Sequence, residues 1–252
     1  MSMQRILANW FVKWVLAPVA VLLALSWGYI QINYPTCVFR YKLTAEVMTP
    51  EGLKSGSSVI EVSYSNFASL SGVPNLILKV VGEANYIDLG SGKNLFILLT
   101  NRISGRNLVQ DYERPKGALD ALMLPLKVFN LNWHIGDQRA LNAQLTSARA
   151  KGRVLVPFES SPTLVVFRDL TQSDTVEVVQ PDSLWKVLGS GYELKSVVIE
   201  ITDEYPQKNI EKILPWLDQK RLEWENKFGF GVGDPVLTQL LYDSFKQPYI
   251  RG

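Results

Sequence analysis

The sequence predicts an α+β fold: an N-terminal transmembrane helix, then a mainly antiparallel β body, sheet or sandwich, with covering helices. Three observations predict it. Residues 14–32, WVLAPVAVLLALSWGYIQI, run apolar and uncharged. Several later stretches alternate apolar and polar residues with the period of a half-buried strand. Between them lie segments whose apolar residues recur every three or four positions, as on a helix face. The chain therefore divides into a short cytoplasmic tail over 1–13, an anchor over 14–32 and a single α+β globular domain over 33–252.

The anchor spans nineteen residues, about 28 Å at the helical rise, close to the hydrocarbon thickness of a bilayer. Trp10 and Trp14 near one end, and Trp27, Tyr29 and Tyr34 near the other, suit the membrane interfaces. Pro18 is tolerated in such helices. A core helix and a cleaved signal peptide are the alternatives. Ala24-Leu25-Ser26 has the small-x-small form of a cleavage site, but the apolar run continues for six residues beyond it. Arg5 and Lys13 before the helix, against Arg40 and Lys42 after it, favour a cytoplasmic N-terminus. The expected topology is a single crossing, with the body outside the cytoplasmic membrane.

Residues 1–32 hold two basic residues and no acidic ones, so the body keeps 24 of the 26 Lys and Arg against all 24 Asp and Glu. A body with no basic surplus lacks the signature of a nucleic-acid binder. Cys37 cannot form an intramolecular disulfide, and one cysteine with one histidine cannot build a Cys/His zinc site. Cys37 follows NYPT rather than small residues at the end of the apolar core, which argues against lipid attachment.

Residues 38–48 alternate cleanly, with Phe39, Tyr41, Leu43, Ala45 and Val47 on one face. Residues 49–52, TPEG, read as a turn. Residues 38–65 then form a hairpin with a fairly long loop, in which Ser55–Ser58 is solvated. Residues 75–84 are a further strand. GSGK at 90–93 is not a phosphate loop: five residues before Gly92 stands Ile87, Asn94 follows Lys93, and NLFILLT reads as a strand. A hairpin turn remains.

Residues 102–116 are polar, with a solvated basic cluster at Arg102, Arg106, Arg114 and Lys116. Residues 117–130 suggest a short buried helix interrupted at Pro125. The clearest soluble helix covers 137–152, with Asp137 as N-cap, Leu141, Leu145 and Ala148 on one face, and Gly152 as its stop. The 102–152 region is read as a helical cover. Residues 163–169, 174–179 and 192–203 are strands. A short helix over 180–189 has Asp182 near its cap and Gly189 at its end; residues 209–217 and 235–245 carry helical spacing.

RYKLTAEVMTPEGLKSGSSVIEV (40–62) and VVQPDSLWKVLGSGYELKSVVIEITDEYPQKNIEKILPWL (178–217) resemble segments of uncharacterised bacterial proteins with an N-terminal membrane anchor. The resemblance implies a bacterial origin and an anchored body, and so an expected location in the bacterial inner membrane with a periplasmic body; it carries no activity.

For chemistry, His134 is the sole histidine and reads as structural. Asp203-Glu204 and Asp111 with Glu113 are candidate acid–base pairs, although neighbours on a strand point to opposite faces. Trp133, Trp185, Trp216 and Trp224 could stack on sugars but suit a core. No catalytic, cofactor-binding or metal-binding residue is assigned. The expected partners are the bilayer, through 14–32, and another protein or a second copy, without nucleic acid. The expected function is a protein-binding or scaffolding module of the cell envelope; an anchored hydrolase using paired carboxylates and a glycan-binding domain are the alternatives.

Overall fold

The computed structural model describes residues 16–33, 36–67, 75–99, 121–132, 138–217 and 246–247. In chain order its elements are α1 (Ala17–Asn33), β1 (Cys37–Thr49), β2 (Gly52–Phe67), β3 (Asn75–Glu83), β4 (Asn85–Gly90) and β5 (Lys93–Ile97). Then follow α2 (Met123–Val128), α3 (Gln138–Ala150), β6 (Val154–Leu155), β7 (Leu164–Phe167), β8 (Val176–Val179), α4 (Trp185–Leu188), β9 (Glu193–Thr202), α5 (Ile210–Ile213) and β10 (Lys246–Gln247).

The α+β reading with antiparallel sheets holds. Among the described residues every strand pairing is antiparallel, in a six-stranded sheet ordered β10-β3-β2-β1-β9-β6 and a four-stranded sheet ordered β4-β5-β7-β8. The helix α1 takes up residues 17–32 of the expected anchor, while residues 14 and 15 lie outside those described. Among the described residues no helix is long and apolar enough to cross a membrane.

Alternation builds the larger sheet. On β1, Cys37, Phe39, Tyr41, Leu43, Ala45 and Val47 are buried, and Arg40, Lys42, Thr44 and Glu46 lie on the other face. On β9, Leu194, Val197, Ile199 and Ile201 are buried, their phase adjusted by an irregularity opposite Glu46 and Val47. The register of β1 and β2 runs unbroken from Cys37↔Tyr64 to Thr49↔Gly52. The loop expected at Ser55–Ser58 is therefore corrected: these residues are strand, paired with Glu46, Thr44 and Leu43 through Ser55, Ser57 and Ser58. The turn is tight instead, held by Thr49, whose hydroxyl accepts the Glu51 N–H at 3.2 Å and donates to the Gly52 carbonyl at 2.8 Å.

One strand joins the two sheets. Only Ala84 separates β3, in the larger sheet, from β4, in the smaller. At the crossing the β4 backbone lies on β2 at Gly56, where a Cβ would stand 2.3 Å from the Tyr86 carbonyl oxygen. The Asn85 amide donates to the Gly56 carbonyl at 3.0 Å and to the Leu43 carbonyl at 3.4 Å. A strand that changes sheets is the usual device for turning a sandwich corner.

The main core lies between the sheets. Tyr41, Leu43, Ile60, Tyr64, Val197 and Ile199 from the larger one meet Ile87, Leu95, Ile97 and Leu164 from the smaller. The helix α2 closes this core with Leu124 and Leu126, Phe129 just after it joins them, and α3 adds Leu141 and Ala148. The Tyr41 hydroxyl donates to the Ala121 carbonyl at 2.8 Å, and that of Tyr64 to the Leu122 carbonyl. Pro125 does not interrupt α2. It sits in the first turn, where a missing N–H costs no helical hydrogen bond. The expected 137–152 helix is present as α3, and Gly152, at φ +64°, ends it; Asp137 lies outside the described residues.

The outer face of the smaller sheet is also buried. Phe96, Val165 and Phe167 pack under Ile210, Leu214 and Leu217, with Trp216 donating to the Leu170 carbonyl at 2.8 Å. Burying a large apolar side chain contributes about 1.5–3 kcal/mol, whereas an exposed ion pair contributes about 0–1 kcal/mol. The sheet-to-sheet packing, not the charged rim, therefore holds the fold.

Cys37 lies at the start of β1 and is fully buried, which pushes its thiol up to about 11. A maleimide or aromatic disulfide reagent at neutral pH is expected to leave Cys37 unmodified until denaturant unfolds the body. Rapid modification of the native protein would show that this end of β1 opens readily.

Candidate functional site

The hairpin tips gather at one pole. The chain joins the body at Cys37, and β1 runs about 40 Å from there to the Thr49 turn at the strand rise. At that far pole the Ser91 hydroxyl donates to Glu51 Oε1 at 3.1 Å, and Gly191, at φ +87°, packs on Pro50. The Ser91-Gly92 pair has φ of +52° and +74°, the mark of a type I′ hairpin between β4 and β5. GSGK is thus a turn between two strands, with no helix to present N–H groups to a phosphate.

Beside this turn opens a cleft of about 490 Å³ lined by Ser91, Gly92, Lys93, Phe167, Arg168 and Lys186, among others. Its origin is a parting of strands. β5 pairs with β7 only at Phe96↔Val165 and Ile97↔Leu164. Beyond that, the Asn94 side chain replaces the ladder: its amide nitrogen donates to the Phe167 carbonyl at 2.9 Å, and its oxygen accepts the Phe167 N–H at 2.8 Å. Asn94 is 1% exposed. One side chain thus holds the strands apart while satisfying both backbone groups.

The cleft is cationic. Lys93 Nζ donates to the Leu188 carbonyl at 2.6 Å and lies 4.4 Å from the centre of the Tyr192 ring. Arg168 pairs with Glu177 at 2.9 Å, and the Lys186 ammonium stands 5.8 Å from the ring of Trp185. Three cations thus share one lining carboxylate. Trp185 is 56% exposed. Such a surface can receive acidic and aromatic side chains.

A second pocket, of about 270 Å³, lies where the strand changes sheets, with Lys42, Ser58, Glu83, Glu204 and Ile210 in its lining. Glu83 is 6% exposed, and its Oε2 accepts the N–H groups of Asn209 at 2.5 Å and Ile210 at 2.8 Å. It thereby ties β3 to the start of α5.

The structure does not bring Asp203 and Glu204 together. Asp203 binds Arg149 through both oxygens at 2.6 and 2.8 Å, and Glu204 binds Lys42 at 2.9 Å. The hydrogen bonds from Arg149 hold the Asp203 carboxyl below the ordinary carboxylate range. Asp111, Glu113, His134, Trp133 and Trp224, the basic cluster at 102–116 and the 235–245 segment lie outside the described residues. Among the described residues no three of His, Cys, Asp and Glu cluster as metal ligands. Trp216 packs against the smaller sheet, and Trp185 is exposed. Sequence reading passed over Glu83, an acid inside the apolar run NLILKVVGEA, and Asn94, whose polarity inside NLFILLT was the available signal.

Comparison with known protein families, with curated proteins and with solved structures finds no match for this chain.

Replacing Asn94 by alanine removes the partner of two buried backbone groups, each worth about 1–3 kcal/mol. Urea denaturation is expected to show a loss of about 2–4 kcal/mol, with β7 less protected from hydrogen exchange. A loss under about 0.5 kcal/mol would mean that water replaces the amide at no cost.

Proposed function

We propose that this chain is a single-pass membrane-anchored protein of the bacterial cell envelope whose periplasmic body binds other proteins as a scaffold. The observation that carries this reading is the cationic cleft at the pole remote from Cys37, where α1 leads into the body. The apolar side chains of α1, among them Leu22, Leu23, Leu25 and Trp27, are exposed, as lipid contact requires. Anchoring confines the body to one surface and raises its effective concentration for partners there. The cleft lies beside the Thr49 end of β1, about 40 Å along that strand from Cys37.

Lys93, Arg168 and Lys186, with Trp185 beside them, favour a partner that presents acidic and aromatic side chains, either another protein or a second copy. The charge balance of the whole body favours protein over nucleic acid. A glycan is the second reading, supported by the exposure of Trp185. Asp203 and Glu204, engaged by Arg149 and Lys42, lend no support to that pair as the acids of a hydrolase.

A photo-crosslinking residue at Lys186, compared with one at exposed Glu159, tests this in intact spheroplasts. The expected result is a discrete protein adduct from position 186 only, lost on Arg168→Glu. No adduct above the control, together with turnover of an envelope substrate, would contradict the reading.

A further inference from the structure

We propose that the free edge of β8 receives an extended segment of a partner protein as an added strand, with acidic side chains turned to the cleft. The ladder fixes where each main-chain group points. The Arg168 N–H donates to the Thr175 carbonyl at 3.3 Å, and β7 pairs with β8 without a break from Phe167↔Val176 to Leu164↔Val179. Bonded and non-bonded pairs alternate in an antiparallel ladder, so Val166 and Leu164 exchange hydrogen bonds with Glu177 and Val179. Val165 and Phe167 turn their groups to β5 instead, where the Asn94 amide meets those of Phe167. Val176 and Val178, opposite them, therefore turn theirs away from β7. β8 is the last strand of its sheet, and no other described residue bonds to Val176 or Val178 on that side. Both residues are partly exposed, so a second chain can reach them.

Donors and acceptors in line along a strand call for main chain, because an extended segment repeats the same spacing. Side chains on the two faces then set its chemistry. On the outer face Val176 and Val178 pack beside Phe167 and Val165, which favours β-branched residues in the added strand. On the other face Glu177 lines the cleft with Lys93, Arg168 and Lys186. Arg168 already holds Glu177, at 2.9 Å. The surface left to the added strand is positive, and acidic residues complement it.

A second copy fits this edge poorly. When Val176 and Val178 exchange bonds with the same residues of a twofold-related strand, Glu177 stands opposite its own copy. Like charges at facing positions destabilise a strand pair. A short edge strand with a charge at its middle is a common guard against self-pairing.

The inference rests on the protein-binding reading for the partner, while a synthetic strand tests the edge alone. The full chain in detergent is titrated with a short peptide that alternates valine with aspartate, and amide exchange over residues 176–179 is followed by NMR. In the free chain Val176 and Val178 are expected to exchange at least about tenfold faster than Glu177 and Val179. The peptide is expected to slow both saturably. Two twins of the peptide, N-methylated on one or the other alternate set of amides, keep its charge; only the twin whose methyl groups face solvent is expected to bind. Val178→Pro removes an N–H that faces the edge, leaves the bonds to β7, and is expected to weaken the peptide at least about tenfold.

Slow exchange of Val176 and Val178 in the free chain would overturn the proposal. It would show an edge already covered by the chain itself or, where the slowing grows with protein concentration, by a second copy. Equal behaviour of the two twins, unchanged affinity in Val178→Pro, or no saturable slowing would also overturn it. If Val178→Pro fails to fold, the twins decide. Failure here leaves a crosslink at Lys186 standing and assigns it to side-chain docking, and failure of the crosslink leaves the peptide result standing.

Discussion

The approach of the β4 backbone to Gly56 is the constraint on which the rest of the body depends. A single strand, interrupted only by Ala84, belongs to both sheets, and it can change sheets only where β2 presents no side chain. With a Cβ at residue 56, the Tyr86 carbonyl would have to move and the smaller sheet with it. β5, β7 and β8 are built outward from β4, so the inter-sheet core, the buried outer face and the cleft all inherit their positions from this contact.

Crossing between sheets leaves backbone groups that no ladder satisfies, and side chains take over that role. Asn85 supplies donors to Gly56 and Leu43, Glu83 accepts the N–H groups that open α5, and Asn94 pairs with Phe167. All three are nearly inaccessible to solvent. Asn94 has both of its amide atoms satisfied, and a buried polar pairing of this kind selects one register over its alternatives. Asn94 in particular both stabilises and opens, since the space it imposes between β5 and β7 becomes the cleft.

Much of the fold was legible where the pattern was local. The alternation of Phe39, Tyr41, Leu43, Ala45 and Val47 marked the buried face of β1, and the same logic marked β9. Leu141 and Ala148 with Gly152 marked α3, and the glycines around Ser91 marked a hairpin. Ser55–Ser58 misled because small polar residues carry no apolar period, and the reason for a glycine there lies in a strand thirty residues away. The α4 turn starts from Leu184, and no side chain caps it, so Asp182 pointed near the right place for the wrong reason. The partition into two sheets and the roles of Glu83, Asn85 and Asn94 are long-range, and no sequence window contains them.

The dependence on Gly56 gives the account a test with a definite sign. Alanine in place of glycine inside a strand ordinarily stabilises by about 0.5–1 kcal/mol, because the unfolded chain loses freedom. At Gly56 the added methyl meets a backbone oxygen. The measurement is chemical denaturation of Gly56→Ala beside Ser57→Ala, its exposed neighbour. The account predicts a loss of about 1–3 kcal/mol or more at residue 56 and a change within about 0.5 kcal/mol at residue 57. A Gly56→Ala protein as stable as the parent, or more so, would show that the sheets do not meet there and would contradict the architecture.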